Sequence, residues 1–493
     1  MTDKNRQTLP DQDFERILKA SAADIPPADV IRGITPHRTA VNRIITGLVL
    51  TTFTLNIAGL DYIGPAIGAI LLAAGFRIIR RGNGFFKAGY ALSLLNIALM
   101  AALLTVNATI YASDFNGSAI STAYGVVMLL AKMSVIICFW RGLGSSGHRF
   151  GISGATGFSG KIDSGALLCL WYGAVSVLGL IGVTSWLIVG ALIALYILLI
   201  RSLLKLSDTL EDTGYSVAAA PVRISDRVYI GVLTALFILC VAVGCGFSSS
   251  YPMAWESAPA DAAVESEADS VRSELTDAGF PDFVARDMAD EDILKLESPA
   301  KVFTDSRTRA VDGGKLEITT IVSMNSEDAL DFSVIHYFKW ADNPDHLYTE
   351  GIKIYPAYAD PGFEAKGEIS GRVLCEKDGK TLASEYYSLG EEILTGTDFW
   401  GEYSDTVILG TYSIPDGSKN CRGYVMYSAE SPDDSLYGGY KSGFFSAHQN
   451  SLLIYPHETA EDELTSSDLS EYSCFDTDSI FATGSRDSME MGL

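Results

Sequence analysis

Residues 166–200 read ALLCLWYGAVSVLGLIGVTSWLIVGALIALYILLI, 35 positions without a single charge. As one helix they would extend about 52 Å, far beyond the roughly 30 Å of hydrocarbon in a bilayer. Gly182-Val183-Thr184-Ser185 is the natural place for a fold-back into two antiparallel spans. The choice between one span and two decides the threading of everything downstream. Lys and Arg collect on the cytoplasmic side of membrane proteins. With a hairpin here and the N-terminus inside, the inner segments 1–43, 77–87, 141–161 and 201–227 hold seven, four, three and four basic residues. The outer connections around Asp61, Asn107–Ser118 and Gly182–Ser185 hold none. A single span would move Arg201, Lys205, Arg223 and Arg227 outside and break that order.

Five further blocks extend the pattern. Apolar runs at Ile44–Leu60, Tyr62–Ile79, Phe86–Val106, Ala119–Trp140 and Val228–Phe247, with the two halves of the hairpin (Ser164–Leu180 and Thr184–Leu203), give seven expected spans. Residues 1–250 carry 19 basic and 13 acidic side chains; residues 251–493 carry 17 and 47. The greasy half is mildly basic and the polar half strongly acidic. A single soluble domain, a disordered chain and a nucleic-acid binder are all excluded by this split, the last because it needs a basic face. The expectation is a multi-pass α-helical membrane bundle with seven spans, N-terminus in and C-terminus out, followed by an extracytoplasmic β-rich, sandwich-like domain with a short helical lead-in. Residues 1–43 lack the short apolar core of a signal peptide and read as a cytoplasmic tail with one or two short helices. Residues 44–247 form the transmembrane domain.

Lys132 is the basic residue placed deep in a span. An intramembrane charge is costly unless paired or hydrated, and marks a functional candidate. Asp61 and Asp163 fall at span boundaries, so Asn56 and Asn96 are its expected polar partners; a snorkelling lysine is the plainer reading. Small residues four apart, Gly64 with Gly68, Ala69 with Ala73 and Gly190 with Ala194, suit close helix packing. Gly142-Leu143-Gly144-Ser145-Ser146-Gly147 spells the dinucleotide-binding fingerprint in the expected glycine-rich inner loop 141–165. It follows a membrane span rather than a strand, so the backbone amides that hold a pyrophosphate are not formed. Gly160-Lys161 resembles a phosphate loop, but Ala155 and Ile162 replace its first glycine and its metal-binding hydroxyl.

Residues 248–270 read as a flexible acidic stalk with Tyr251 and Trp255 near the outer headgroups. Residues 271–300 read as short helices: Ser270 as a cap, Gly279 as a stop, Pro281 as a new start, and an apolar face of Leu275, Phe280, Phe283, Val284, Met288, Ile293 and Leu294. Asp290-Glu291-Asp292 reads as helix capping, since its spacing matches no calcium loop. The period changes to two beyond Lys315. Expected strands are Leu316–Ser323, Phe332–Trp340, Tyr348–Tyr355, Glu368–Cys375, Thr381–Tyr387, Thr406–Tyr412, Gly423–Tyr427 and Ser451–Tyr455, with turns at Asp378-Gly379 and Pro415-Asp416-Gly417. The β-rich domain spans 301–457, and 458–493 reads as an acidic tail without fixed structure.

Two loops are richer in aromatics than a sheet requires. Asp398, Trp400, Tyr403 and Asp405 form one group, and Tyr437 and Tyr440 the other; rings beside carboxylates grip sugar faces or cationic groups. The plainer alternative makes Trp400 a core anchor. Cys375, Cys421 and Cys474 allow at most one internal disulfide, with Cys375–Cys421 the best pair. His336, His346, His448 and His457 show no metal-ligand spacing, and no serine sits in a nucleophile elbow. No cofactor, metal or catalytic residue is expected. The leading expectation is a non-enzymatic cell-membrane protein whose outer domain binds a ligand or partner, a glycan, a peptide or another envelope protein, in contact with the lipid bilayer. A transporter or channel subunit using Lys132 is the first alternative, and an envelope enzyme with an outer active site the second.

Overall fold

A computed structural model describes residues 35–53, 60–149, 164–181, 185–212, 223–258, 267–296, 299–311, 314–324, 331–342, 348–359, 363–398, 401–430, 439–449, 455–466, 472–484 and 488–492. The chain divides into two compact units. One comprises 1–105 with 117–242, the other 106–116 with 243–493. The short helices expected in residues 1–34 and the Gly160-Lys161 motif lie outside the described residues.

The first unit is helical. Its helices are α1 (Pro36–Leu50), α2 (Leu60–Ile79), α3 (Gly84–Val106), α5 (Ala119–Arg149), α6 (Ser164–Leu180), α7 (Trp186–Asp212) and α8 (Asp226–Phe247); α4 (Ala112–Gly117) belongs mainly to the second unit. Five of them, α2, α3, α5, α7 and α8, are long and apolar enough to cross a membrane. The α6–α7 fold-back is present: Trp171 Nε1 donates to the Leu192 carbonyl at 2.9 Å, and its ring lies 4.8 Å from Tyr196. Both contacts join positions nearly equidistant from Gly182, as antiparallel neighbours must be.

Two boundaries depart from the apolar pattern. The first helix occupies Pro36–Leu50 rather than Ile44–Leu60. Thr35 caps it by accepting from Arg38 N at 3.2 Å, Pro36 supplies the preset first-turn geometry, and Thr51 closes it. Helix α5 runs on through Gly142–Gly147 to Arg149. The inner loop expected at 141–165 therefore begins later, and the fingerprint glycines are ordinary helical positions.

Small residues seat α2 on α1. A Cβ at Gly68 would fall 2.6 Å from Thr51 Cγ2 and 2.8 Å from the Gly47 carbonyl; one at Gly75 would meet Ile44 Cγ1 at 2.6 Å. Backbone contact this close is what small residues permit in lipid. Gly190 has open space where its Cβ would be, so the Gly190–Ala194 pair is not such a contact.

The second unit is a sandwich of two antiparallel sheets. Its strands are β1 (Glu256–Ser257), β2 (Lys301–Val311), β3 (Gly314–Met324), β4 (Asp331–Trp340), β5 (Glu350–Tyr355), β6 (Glu364–Lys377), β7 (Lys380–Glu385), β8 (Ser388–Asp398), β9 (Gly401–Tyr412), β10 (Lys419–Glu430), β11 (Gly439–Gln449), β12 (Tyr472–Gly484) and β13 (Ser488–Gly492). One sheet has the order β1-β7-β6-β10-β4-β3-β2, the other β13-β12-β11-β5-β9-β8. Phe332, Val334, Phe338 and Trp340 of β4 meet Ile352, Ile354, Ile408, Tyr412 and Phe444 of the facing sheet in a common core. The odd positions Ile335 and Tyr337 point the other way and lie under α9 (Glu267–Asp277), α10 (Asp282–Asp287) and α11 (Asp290–Leu294), through Leu275, Phe280, Val284, Met288 and Ile293. A helix α12 (Ala460–Thr465) covers Val407, Leu409 and Ala447 on the opposite outer face. Central strand β4 is thus buried on both faces.

Local turn chemistry agrees with the sequence. Asp378 and Gly379 both adopt positive φ (53° and 74°), as a two-residue hairpin between β6 and β7 requires. Ser418 N donates to Pro415 O at 3.2 Å, with Gly417 at φ 75°. The stalk and tail differ. Residues 248–258 are built into the sandwich: Tyr251 N donates to Ser413 Oγ at 2.9 Å, Met253 and Trp255 pack on the core, and Glu256–Ser257 pairs with β7. Aromatic rings had a better burial partner than headgroups. The region 458–493 carries α12, β12 and β13, because β11 leaves a ladder edge that β12 pairs over its full length. The expected strand Ser451–Tyr455 lies, except for Tyr455, outside the described residues, and a strand the sequence reading did not expect, β11, occupies Gly439–Gln449.

The α1–α2 contact predicts that Gly68→Ala lowers the thermal stability of the detergent-solubilised protein by about 1–3 kcal/mol. Gly190→Ala, with nothing to clash, should be neutral or stabilising by about 0.5–1 kcal/mol. Both are read from unfolding midpoints followed by circular dichroism.

Candidate functional site

Two places gather chemistry-bearing side chains, one in each unit. In the helical unit the focus is the C-terminal end of α1. Thr51 and Thr52 close that helix, and its last carbonyls have no further turn to bond. Lys132 lies thirteen residues after Ala119 and fourteen before Ser146, at the middle of the α5 span. Its Nζ donates to the Thr51 carbonyl and lies 5.4 Å from the centre of the Tyr172 ring. A cation is favoured at this end of a helix dipole and over a ring face. The partner expected from sequence was an asparagine. Asn96 is buried on α3 but takes no hydrogen bond from Lys132, and Asn56 lies outside the described residues.

The hydroxyls beside Lys132 form a chain. Thr52 donates to the Leu48 carbonyl at 2.6 Å, so its oxygen accepts from both the Tyr172 hydroxyl and, at 3.2 Å, the Tyr196 hydroxyl. Trp171 and Phe53 wall these rings, at 5.1 Å from Tyr172 and 4.9 Å from Tyr196. The end of α1 is therefore met by polar groups from α5, α6 and α7 at once.

In the β unit the two expected loops do come to the same end of one sheet. Ile408, Ile354 and Phe444 form one row across β9, β5 and β11. Four residues further on in the same direction stand Ser404 and Tyr440, two strand spacings apart, about 10 Å. Tyr403 is 42% exposed and its ring lies against Gly396, where a Cβ would fall 2.4 Å from it. Asp405 pairs in register with Leu394, and Asp398 ends β8 opposite Gly401. Trp400 and Tyr437 lie outside the described residues.

Buried histidines hold the sandwich together rather than facing solvent. His336 is 0% exposed; Nδ1 bonds Thr320 Oγ1 at 3.0 Å and Nε2 bonds Ser442 Oγ at 2.7 Å. Tyr427 donates to the same Ser442 oxygen at 2.8 Å. The Ser442–His336 pair resembles a nucleophile and its base, but both are sealed between the sheets and no substrate reaches them. Burial drives His336 down to about 3. His448 Nδ1 bonds Glu350 Oε1 at 2.7 Å, both buried. His457 donates its backbone N–H to the Asn107 carbonyl at 2.7 Å, and burial lowers its ring to about 4.

Cys375 and Cys421 neighbour one another on β6 and β10, where the ladder register shifts between Lys419 and Arg422. Both stand as free thiols in the core rather than as the expected disulfide, and burial raises the Cys421 thiol. Of the acidic triplet, Asp290 pairs with Arg272 at 2.5 Å, and Asp292 accepts from Tyr424 at 2.7 Å and Lys295 at 2.9 Å. No group of three metal-binding side chains occurs among the described residues.

No protein-family model and no curated protein matches this chain. Among solved structures, similarity is found to a pore-forming protein, at 9% identity and TM-score 0.16, covering 39% of this chain and 95% of that one. The collagen-binding domain from a Staphylococcus aureus adhesin is similar at 8% identity and TM-score 0.17, covering 31% and 98%. The KRT10-binding region domain of the pneumococcal serine-rich repeat protein PsrP follows at 10% and 0.17, covering 31% and 90%. At these TM-scores the similarities carry no argument about function.

Two outcomes follow from the geometry. Lys132→Met leaves the end of α1 without its cation and should cost about 1–2 kcal/mol of thermal stability, with Lys132→Gln recovering part through its amide donor. The lowered histidines set an acid limit on the β unit. Their unfolded-state value is near 6.5, so below that pH the unfolded chain takes up protons that the native chain refuses. Stability is full above about 6.5 and falls as pH drops toward about 4 for His457 and about 3 for His336. The unfolding midpoint should fall between pH 7 and 4.5, and less steeply in the His457→Gln variant.

Proposed function

We propose that this chain is a polytopic cell-membrane protein that holds its β sandwich at the outer surface, where the sandwich binds a ligand or partner protein. The carrying observation is that Val106–Asn116, the connection between α3 and α5, belongs to the same compact unit as the chain beyond α8. Ile110 N donates to Ser248 O at 2.8 Å and His457 N to Asn107 O at 2.7 Å. Segments that share a fold occupy one side of a membrane. Between them the chain runs through α5, α6, α7 and α8, and only an even number of crossings returns it to that side. Three of these are long apolar helices, so the short α6 supplies the fourth. Counting α1 with α2 and α3 before the connection makes the reading one of seven spans.

Charge gives the direction. The Val106–Asn116 segment contains no Lys or Arg, whereas 77–87, 141–161 and 201–227 on the other side contain eleven. This distribution supports an inner N-terminus and an outer β unit. The sheet end carrying Tyr403, Asp405 and Tyr440 is the recognition face of this reading, and the chain acts by binding rather than by catalysis. Cysteines introduced at Lys419 and Arg81, with the native cysteines replaced, test the threading. A membrane-impermeant maleimide should label Lys419→Cys in intact cells and Arg81→Cys only after permeabilisation; the reverse pattern would sink the reading.

A second reading has its own observation. Helix α1 stops after fifteen residues, about 22 Å, with its terminal carbonyl against Lys132. Interrupted helices whose ends face charged groups at depth are a feature of transporters. In that case Lys132→Gln, which keeps a donor but not the charge, stays folded and loses ion or solute flux across proteoliposomes. Unchanged flux, or none in the parent protein, removes this reading.

A further inference from the structure

The outermost strand of the second sheet, β8, pairs with β9 along its whole length and is the last in its sheet. Its other side presents about five N–H and five C=O groups with no ladder partner among the described residues. Native edges are blunted by lysine, proline, bulges or a covering element. Strand β8 (SLGEEILTGTD) contains no lysine or proline, and its register with β9 is unbroken over eleven pairs. Ile393 is 65% exposed on it. An open edge of this length is a template for another strand.

The chemistry of the occupant is set by charge. Residues 381–418, the edge hairpin and its flanks, contain seven carboxylates and no Lys, Arg or His. Glu391 and Glu392 are exposed at the middle of the strand. The field extends to neighbouring elements: Glu461 of α12 is raised by burial and then by Glu392, Asp462 and Asp114. A carboxyl raised by its carboxylate neighbours marks a region of negative potential. The opposite edge of the sandwich differs. Strand β2 (KVFTDSRTRAV) carries Lys301, Arg307 and Arg309, charges that blunt an edge.

We infer that β8 is a docking edge for an extended, cationic segment of a partner protein, which adds to the sheet as a further antiparallel strand with its Lys or Arg side chains against Glu391 and Glu392. Main-chain hydrogen bonds supply the affinity and the carboxylates the selection. This deepens the binding role proposed above by naming the surface and the class of partner, and it does not depend on which side of the membrane the sandwich occupies.

The test uses the full chain in lipid nanodiscs and an eleven-residue capped peptide of repeated Lys-Lys-Val-Thr, which carries Lys on both faces of a strand. Binding should be saturable and weaken with salt. Methylating alternate backbone nitrogens leaves the charge and removes strand pairing, and should cost at least about tenfold in affinity, the loss of two or more net hydrogen bonds. Replacing Glu391 and Glu392 together with Lys should cost as much, while the same pair of substitutions at Asp282 and Glu274, remote from the edge, should cost none. Equal binding of the methylated peptide would reduce the contact to diffuse electrostatics and overturn the inference. So would self-association of the free protein abolished by the Glu391/Glu392 change, which would put a second copy on the edge. A wrong orientation in the labelling experiment, with peptide binding intact, would overturn the threading alone.

Discussion

Two backbone hydrogen bonds organise this molecule: Ile110 N–H to Ser248 and His457 N–H to Asn107. They make a connection between membrane helices, the chain leaving the last helix and the C-terminal sandwich into a single unit. Backbone donors buried at such a junction must be paired, and here each pairs with a segment distant in sequence. The chain consequently passes between its two units at three places, near residues 105, 116 and 242. Within the second unit the neck is packed as well: Tyr251 N donates to Ser413 Oγ, and Met253 and Trp255 lie on the sandwich core.

Burial of polar groups is the second organising feature, and it works in opposite ways in the two units. Between the sheets, His336, Thr320, Ser442 and Tyr427 satisfy one another as neutral groups. A buried neutral imidazole in such a network fixes register, because a strand slipped by one residue would orphan every partner. In the helical unit the Lys132 amine is met by the end of a helix. The Tyr172 ring face and the hydroxyls of Thr52, Tyr172 and Tyr196 surround the same helix end.

Legibility in the sequence followed physics residue by residue. The apolar runs and the hairpin within 166–200 were readable because hydrocarbon tolerates little else. Asp378-Gly379 and the helices around Gly279 and Pro281 were readable because backbone conformation there is limited to few residue types. What escaped was β1, β2, β8, β11, β12 and β13. Strand β11 (GYKSGFFSAHQ) places Ser442, Ser446 and His448 at buried positions. Its inner positions mix Ser442, Ser446 and His448 with Phe444, while Phe445 and Ala447 of the other face lie under α12, so a hydrophobic period of two cannot find it. Strands β2 and β8 are edges, where one side needs no apolar face. The neck misled for the opposite reason: Tyr251 and Trp255 suit headgroups and protein cores equally, and only the position of Ser413 and β7 decides between them. Lys132's partner was invisible because a carbonyl has no letter in the sequence.

The acidic excess of the C-terminal half acquires a structural meaning from the open edge. A strand meant to receive another strand cannot be protected by proline, which removes a donor, or by a bulge, which spoils the register. Lysine would repel a cationic partner. Negative charge is the remaining device: Glu391, Glu392 and the carboxylates around them discourage two copies from meeting edge to edge, while leaving every outward N–H and C=O in place. The same residues that keep the edge from self-pairing thus define what it accepts, so solubility and selectivity at β8 are one property of one charge distribution.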